Sequence, residues 1–136
     1  MQINEEQKET IIQAAMAVRH WAYVPYSHYP VGAAILTTSG KIYDGINVES
    51  AAFPTTMCAE RVAIFKAVSE GERDFVAIAV VTDNAGSPCG GCRQVMAEFG
   101  LETIVLIADG EGKISQETTV SDLLPGAFTP KDLPSL

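Results

Sequence analysis

The feature of this sequence that most constrains the fold is an unbroken run of apolar residues at positions 75–81 (FVAIAVV). Neighbouring side chains of a β-strand point to opposite faces of its sheet, so a strand without polar side chains has to be covered on both faces. Residues 103–108 (TIVLIA) form a second such run after an initial threonine. Together the two runs predict a sheet whose centre lies between two layers of other structure.

Two longer segments have the spacing of helices that cover such a sheet. Residues 5–22 carry apolar side chains at intervals of three and four residues, which predicts an amphipathic helix. Asn4, with Gln7 three residues later, predicts an N-cap and a capping box at its start. The same spacing predicts a second helix over residues 59–69, ended by Gly71.

The other predicted elements are short: strands at 31–38, 41–48 and 113–117, and helices at 91–99 and about 120–124. Ser39 and Gly40 separate the first two strands and form a hairpin signal. A hairpin followed by alternating helices and strands predicts a layered α/β domain with helices on both faces of a mixed sheet. The 136 residues show no repeat or linker, so we expect one domain over residues 1–136.

Charge and hydropathy narrow the classes of partner. The formal net charge is −8 and the nine lysines and arginines are scattered, whereas a nucleic-acid-binding face needs clustered cations to replace counterions on phosphates. No apolar run approaches the roughly 18 residues that span a bilayer, and the first residues (MQINEEQ) lack the features of a secretory signal. We therefore expect a cytoplasmic protein with a small, neutral ligand and with no nucleic-acid or membrane partner.

The three cysteines indicate metal chemistry. Cys89 and Cys92 form a Cys-x-x-Cys pair, and Cys58 lies 31 residues before Cys89. Both groups fall where a loop enters a predicted helix, and unpaired N–H groups at a helix start stabilise thiolates. A catalytic zinc ion usually has three protein ligands plus a water molecule. The count predicts one zinc ion per chain.

Two charged residues follow Cys58 directly. Glu60 is close enough to exchange protons with a metal-bound water without being a ligand, which is general acid–base chemistry. Three thiolates on a zinc ion leave a formal charge of −1, which opposes ionisation of the water. Arg61 is the residue that we expect to offset that charge.

Less specific interpretations remain open at this point. A Cys-x-x-Cys pair alone is a weak signal, and a buried cysteine is often only a small hydrophobic residue. A structural zinc ion would need a fourth ligand, for which only His20 and His28 are available as histidines. Neither has ligand spacing to a cysteine, so we expect both to be surface or packing residues.

The cysteine segments are similar to a known family. Residues 56–61 (TMCAER) and 87–94 (SPCGGCRQ) resemble the two zinc motifs of cytidine deaminases. Residues 22–34 resemble that family's N-terminal loop and first strand, residues 45–53 its nucleoside-binding segment and residues 123–128 its C-terminal motif. The likeness covers nearly the whole chain and is to the short, homotetrameric, three-cysteine branch.

The resemblance implies a three-layer α/β/α domain with a mixed five-stranded sheet. It implies that Cys58, Cys89 and Cys92 hold zinc, that Glu60 shuttles protons and that Arg61 lies behind the ligands. The residues that it implies for the nucleoside are Tyr29, Asn47, Val48, Glu49, Ala59 and Phe128, the last reaching a neighbouring subunit's pocket. Without the resemblance, Asn47 and Glu49 would be read as solvated strand-end residues, and both aromatic residues as ordinary packing.

The implied activity is hydrolytic deamination of cytidine and 2′-deoxycytidine, in pyrimidine salvage. The alternatives are a deaminase of a cytosine nucleoside antibiotic, of the blasticidin S type, and a non-catalytic structural zinc module. An editing deaminase acting on nucleic acid is disfavoured by the net charge of −8. The sequence departs from many members at Ser50 (asparagine), at Ile46 (cysteine) and at Tyr29 (phenylalanine). We expect Ser50 to affect the surroundings of Glu49, and the Tyr29 hydroxyl to affect recognition of the base.

Overall fold

The computed structural model describes residues 2–134 of the chain. Its helices are α1 (Glu5–Arg19), α2 (Ala59–Ser69), α3 (Gly90–Phe99) and α4 (Val120–Leu123). Its strands are β1 (Gly32–Thr37), β2 (Ile42–Ile46), β3 (Phe75–Val81), β4 (Ile104–Ala108) and β5 (Ile114–Thr119). Two single turns of 3-10 helix cover Phe53–Thr55 and Pro130–Asp132.

The five strands form one mixed sheet in the order β2-β1-β3-β4-β5. β3 and β4 are parallel, because α3 carries the chain back across one face between them. The other three pairings are antiparallel. The two apolar runs that predict buried strands are β3 and β4, and they occupy the centre of the sheet together with β1.

Two apolar clusters cover the two faces of the sheet. Along β1, Ala33 and Ile35 belong to a cluster with α2, α3 and α4, whereas Ala34 and Leu36 belong to a cluster with α1. Burial of all six residues of β1 follows from this double coverage. The arrangement confirms the expected three-layer α/β/α fold with a mixed five-stranded sheet.

The first helix starts as predicted but ends earlier. Asn4 caps α1 and forms the predicted capping box with Gln7. The prediction of helix through residue 22 is wrong, because α1 ends at Arg19 and the next residues form a tight turn. The chain then runs beside the segment after β2, where Tyr23 and Val48 form a β-bridge. This long-range pairing is incompatible with helix.

The second hairpin strand is shorter than predicted and is packed closely by α2. β2 ends at Ile46, before the predicted residue 48. A Cβ atom on Gly45 would lie 2.5 Å from Ala59 O and from Ala63 N, so only glycine lets α2 approach the strand this closely. The contact places the first turn of α2 next to the end of the sheet. The bounds of α2 and β3 coincide with the predictions, and the remaining boundaries differ by at most two residues, which is the usual uncertainty of helix and strand ends.

Within residues 2–134, no helix combines the length and the apolar character that crossing a bilayer requires.

Candidate active site

The starts of α2 and α3 bring the three cysteines together. Cys58 is the N-cap residue of α2 and Cys89 is the N-cap residue of α3, and neither N-cap side chain caps its helix. Cys92 follows in the first turn of α3 and is fully buried. All three thiols are free. The sulfur cluster therefore lies at the starts of two helices, where the helix dipoles favour negative charge.

The separations of the sulfur atoms suit a zinc ion. Cys58 Sγ lies 4.0 Å from Cys89 Sγ, and Cys89 Sγ lies 3.4 Å from Cys92 Sγ. All three sulfurs lie within 4.8 Å of one another. A tetrahedral zinc ion with Zn–S bonds of about 2.3 Å holds its sulfurs about 3.8 Å apart. The observed distances bracket that value, so the cysteines are positioned to bind zinc.

Ionisation of these thiols also points to a cation. The neighbouring Cys92 thiol lowers the pKa of Cys58 to about 6. The pKa of Cys92 is raised, chiefly by Cys58 and then by burial. One thiolate thus forms at the expense of the other, because the Cys58 thiolate is stabilised by a hydrogen bond from the protonated Cys92 thiol. A divalent cation removes this conflict and allows all three groups to be thiolates.

Arg61 contributes positive charge beside the sulfurs. Its Nη2 donates to Cys89 Sγ at 3.8 Å, and the Cys92 thiol is the main cause of its raised pKa. A Cβ atom on Gly91 would lie 2.3 Å from Arg61 Nη2, so the guanidinium occupies space that only glycine leaves free. Its Nε is buried and has no hydrogen-bond partner among residues 2–134. Packing and charge therefore hold this side chain where it can offset the negative charge of the thiolates.

Glu60 is an acidic group beside the cluster, close enough to Cys58 for their charges to interact. It lies in the first turn of α2, and only 5% of its surface is exposed. Burial raises the pKa of its carboxyl group, and the nearby Cys58 adds to that effect. A carboxyl group with a raised pKa exchanges protons closer to neutral pH, which suits a general acid–base role.

A cavity of about 250 Å³ opens beside the cysteines. Its lining residues are Ser27, Tyr29, Val31, Asn47, Glu49, Cys58, Ala59, Glu60, Val80, Thr82, Gly86, Ser87 and Cys89. The cavity brings together residues from three segments that are distant in the sequence. Its volume is just below the roughly 300–1,000 Å³ of typical ligand sites.

The side chains of Asn47 and Glu49 are already engaged with the loop before β1. Asn47 accepts a hydrogen bond from Val31 N and donates one to Tyr29 O, each at 2.9 Å. Glu49 Oε1 accepts from the backbone N of Tyr26 at 3.0 Å and of Ser27 at 3.1 Å, and Oε2 accepts from the Ser27 hydroxyl. The Ser27 hydroxyl bond is the main cause of the lowered pKa of Glu49. Both residues therefore shape the rim of the cavity.

The hydroxyl of Tyr29 points to the opposite rim of the cavity. It donates to Asn84 Oδ1 at 2.7 Å, so it is bound to the loop between β3 and α3. The ring itself lines the cavity.

Two of the residues predicted for the nucleoside lie elsewhere. Val48 does not line the cavity and is 42% exposed, with its backbone bridged to Tyr23 and Met57. Phe128 is 56% exposed and also lies outside the lining, and its carbonyl accepts a hydrogen bond from Gln94. The metal cluster within residues 2–134 includes neither histidine.

Thr82 and Gly86 line the cavity, although sequence analysis did not single them out. Thr82 directly follows β3. Ligands of α/β proteins commonly bind beyond the carboxyl ends of parallel strands, and that rule could have found this loop.

A larger cavity of about 470 Å³ lies between the end of α3 and the turn at Pro130–Asp132. Among residues 2–134, its lining contains no cysteine, histidine or other part of the cluster described above. The chemistry is therefore concentrated in the smaller cavity.

The fold and the site define a class of protein: an α/β/α domain with a three-thiol metal site beside a buried carboxyl group. Among residues 2–134 the cluster contains no fourth His, Cys, Asp or Glu ligand. Three protein ligands are typical of a catalytic zinc ion, whereas structural zinc sites have four.

Comparison with known proteins identifies the family. The cytidine and deoxycytidylate deaminase zinc-binding region matches residues 5–108. A cytidine deaminase of Sporosarcina psychrophila is 53% identical over 128 residues, which cover 92% of this chain and 93% of that protein. The crystal structure of cytidine deaminase from Burkholderia pseudomallei matches with a TM-score of 0.85 at 44% identity, covering 93% of this chain and 100% of that one. The chain belongs to the cytidine and deoxycytidylate deaminase zinc-binding family.

The same comparison bears on the antibiotic deaminase considered as an alternative. A blasticidin-S deaminase of Bacillus cereus is 33% identical over 134 residues, which cover 91% of this chain and 94% of that protein. The 53% identity to a cytidine deaminase is clearly higher. The antibiotic alternative is therefore not favoured.

Proposed function

We propose that this chain deaminates cytidine and 2′-deoxycytidine hydrolytically, giving uridine or 2′-deoxyuridine and ammonia. The observation that carries the proposal is the buried carboxyl group of Glu60 at the wall of a cavity that also exposes two of the three clustered thiols. A role in pyrimidine salvage, in the cytoplasm, is part of this proposal and rests on the nucleoside substrates.

Cys58, Cys89 and Cys92 would hold the zinc ion, and Arg61 would offset their charge. Zinc supplies Lewis acidity, which makes a water molecule a competent nucleophile at neutral pH. Glu60 takes a proton from the attacking water and transfers it to the ring nitrogen, and it carries a second proton to the departing amine. Its burial serves both steps, because the raised pKa lets it release as well as accept a proton.

The opposite side of the cavity would bind the nucleoside. The carboxylate of Glu49 and the amide of Asn47 have free lone pairs or N–H groups left for ribose hydroxyls after their loop hydrogen bonds are counted. The Tyr29 ring would pack on the pyrimidine, since flat rings stack well on aromatic side chains. Ala59 lines the same cavity and is fully buried, so its backbone is fixed next to the base. Val48 lies outside the cavity lining and would contribute by holding its neighbours Asn47 and Glu49 in place through its backbone bonds to Met57.

The direct test is an assay on purified, zinc-loaded protein. Loss of cytidine absorbance with equimolar release of ammonia is the expected result, and blasticidin S serves as the second substrate. A Glu60→Gln variant, which is nearly the same size, distinguishes this enzyme from a contaminant. Absence of turnover with cytidine and deoxycytidine would refute the proposal, and faster turnover of blasticidin S would favour the antibiotic enzyme.

We further propose that the active form is a homotetramer of single-domain chains, spanning residues 1–136, and that nucleic acid and membranes are not its partners. Large aromatic side chains are unusually exposed, including Trp21 at 69%, Phe53 at 67% and Phe128 at 56%. Exposed aromatic groups are enriched at protein interfaces. The small volume of the cavity suits a pocket that Phe128 of a neighbouring subunit completes.

Subunit mixing tests this arrangement. Glu60→Gln and Phe128→Ala chains are each expected to be impaired, and after exchange some pockets would combine an intact Glu60 with an intact neighbouring Phe128. Partial recovery of activity is the expected result. A fully active monomer in light scattering, or no recovery after proven exchange of two impaired chains, would exclude shared pockets.

A further inference from the structure

The loop that follows β3 is joined to Tyr29 by hydrogen bonds that the proposed chemistry does not use. Tyr29 Oη donates to Asn84 Oδ1 at 2.7 Å, and Thr82 Oγ1 donates to the same oxygen at 3.4 Å. Thr82 Oγ1 in turn accepts the N–H of Gly86 at 2.6 Å. A hydroxyl group has one proton to donate, and the hydroxyl groups of Tyr29 and Thr82 both donate theirs to Asn84 Oδ1. The Thr82 hydroxyl oxygen also accepts a hydrogen bond from the loop backbone at Gly86. The four groups therefore form a satisfied network.

Gly86 shows that the Tyr29 hydroxyl fills a specific place in this network. A Cβ atom on Gly86 would lie 2.3 Å from Tyr29 Oη, while the next atom, Thr82 Oγ1, would be at an ordinary 3.5 Å. Only the hydroxyl oxygen occupies the space that a side chain would need. A phenylalanine at position 29 would leave that space open.

The network connects two walls of the cavity. Tyr29, Thr82 and Gly86 line it, whereas Asn84 is exposed and does not line it. Three residues after Gly86 the same loop supplies Cys89, the N-cap of α3. Because the network joins Tyr29 to this loop, it fixes the position of the Tyr29 ring relative to Cys89, the metal-binding residue of the loop.

We propose that Asn84 is a positioning residue, which holds the Tyr29 ring against the base through the Tyr29 hydroxyl. The proposal rests on the proposed function, because it assigns the ring to nucleoside binding. The Tyr29 hydroxyl bonds to the loop that follows β3 and not to the edge of the base. Asn84 contributes to nucleoside affinity without touching the substrate.

Such a role has a kinetic signature. The ring contacts the base equally in the ground state and in the transition state, so loosening it raises KM and leaves kcat nearly unchanged. Tyr29→Phe removes the hydrogen bond from Tyr29 to Asn84, and Asn84→Ala removes the same bond together with the longer one from Thr82. Each variant is expected to raise KM for cytidine by about two- to tenfold. The double variant is expected to match Asn84→Ala, because the bond that Tyr29→Phe removes is already broken there.

Two control variants show whether these effects are specific to the hydrogen bond between Tyr29 and Asn84. Asn84→Asp keeps an oxygen acceptor and is expected to restore a KM near the wild-type value. Tyr43→Phe makes the same chemical change in β2, where the hydroxyl has no hydrogen-bond partner within residues 2–134 and lies outside the cavity lining. Its KM is expected to stay at the wild-type value. Additive effects of Tyr29→Phe and Asn84→Ala, or an effect on kcat alone, would overturn the proposal.

Gly86→Ala gives a second test that does not depend on turnover. In the Tyr29 background the new methyl group collides with the hydroxyl, and overpacking of this kind is expected to lower Tm by about 4 °C or more. In the Tyr29→Phe background the collision is absent, so most of this loss should disappear. Equal losses in both backgrounds would contradict the network.

The two tests separate the failure of this proposal from a failure of the proposed function. If the wild-type chain does not deaminate cytidine, the proposed function fails, and binding of uridine measured by calorimetry replaces KM. If the wild-type chain is active but the effects of Tyr29→Phe and Asn84→Ala are additive and the two Tm losses are equal, only the role of Asn84 fails.

Discussion

The two sides of the small cavity are built differently. On the metal side, Glu60 and Cys92 belong to the first turns of helices, and both are buried in the core between the sheet and those helices. On the loop side, Tyr29, Asn47 and Glu49 lie outside regular elements and are half-buried or exposed. Hydrogen bonds with neighbouring loop residues, not core packing, hold the loop side.

This difference predicts how each side responds to substitution. Core packing fixes Glu60 and Cys92, so losing one chemical group on the metal side removes a step of the reaction. On the loop side each side chain has two tasks, to bind and to hold the loop. A substitution there therefore reduces affinity by degrees, and conservative variants should recover part of the loss.

The largest effect is expected from Cys89→Ala. Cys89 is exposed, so its truncation leaves the core intact, whereas truncation of the fully buried Cys92 would also open a cavity. We expect zinc affinity to fall by more than about a hundredfold, since even groups that only orient a ligand contribute ten- to a hundredfold. Elemental analysis should find one zinc ion per wild-type chain and almost none in the variant. A variant that keeps a full equivalent of zinc at unchanged affinity would show that the metal site is elsewhere.

The second-largest effect is expected from Glu60→Gln. The amide is nearly isosteric, so fold and zinc content should be preserved, but it cannot accept a proton from water. Loss of a positioned proton carrier lowers kcat by about a hundred- to ten-thousandfold. Glu70→Gln, an exposed change at the other end of α2, is the matched control and should be neutral. Turnover of Glu60→Gln within about tenfold of the wild-type rate would mean that another group shuttles the protons.

On the loop side we expect an intermediate effect from Glu49→Ala. Loss of a hydrogen bond to a charged group is worth about 1.5–3 kcal/mol, so kcat/KM for cytidine should fall roughly ten- to a hundredfold. Free cytosine, which has no ribose, should remain as poor a substrate as before. Glu49→Gln keeps one oxygen for the N–H groups of Tyr26 and Ser27 and should lose less. Unchanged kcat/KM in Glu49→Ala would remove this residue from the site.

Elements dominated by local pattern were predictable from the sequence. The predicted bounds of β3 and α2 coincide with Phe75–Val81 and Ala59–Ser69, because apolar content and helical spacing determine both. The end of α1 was not predictable in the same way, since the bridge between Tyr23 and Val48 that follows it joins distant segments.

The same distinction between local pattern and tertiary contacts applies to the candidate site. The three cysteines could be grouped from spacing and from their position at helix starts, which are local properties. The hydrogen bonds that engage Asn47 with the loop at Tyr29 and Val31, and the wall at Thr82 and Gly86, arise from tertiary contacts. Sequence spacing carries no information about them.

The smallest effect is expected at Ser50, where many members of the family have asparagine. The Ser50 hydroxyl accepts a hydrogen bond from the N–H of Ala52 at 3.1 Å, and the backbone N–H of Ser50 donates to Thr56 Oγ1 at 3.1 Å. The carboxylate of Glu49 bonds instead to the loop at Tyr26 and Ser27. The side chain at position 50 therefore closes a local turn beside the rim of the cavity.

Asparagine can close the same turn, because its side-chain oxygen accepts from the N–H two residues ahead. Ser50→Asn should leave kcat/KM for cytidine within about twofold, since no net hydrogen bond is lost. Ser50→Ala removes the acceptor, so it should lower Tm by a few degrees, as expected for roughly 1 kcal/mol, while affecting cytidine less than Glu49→Ala does. A large gain or loss of kcat/KM in Ser50→Asn would show that position 50 acts on the ribose site, and the loop side would then extend beyond Glu49.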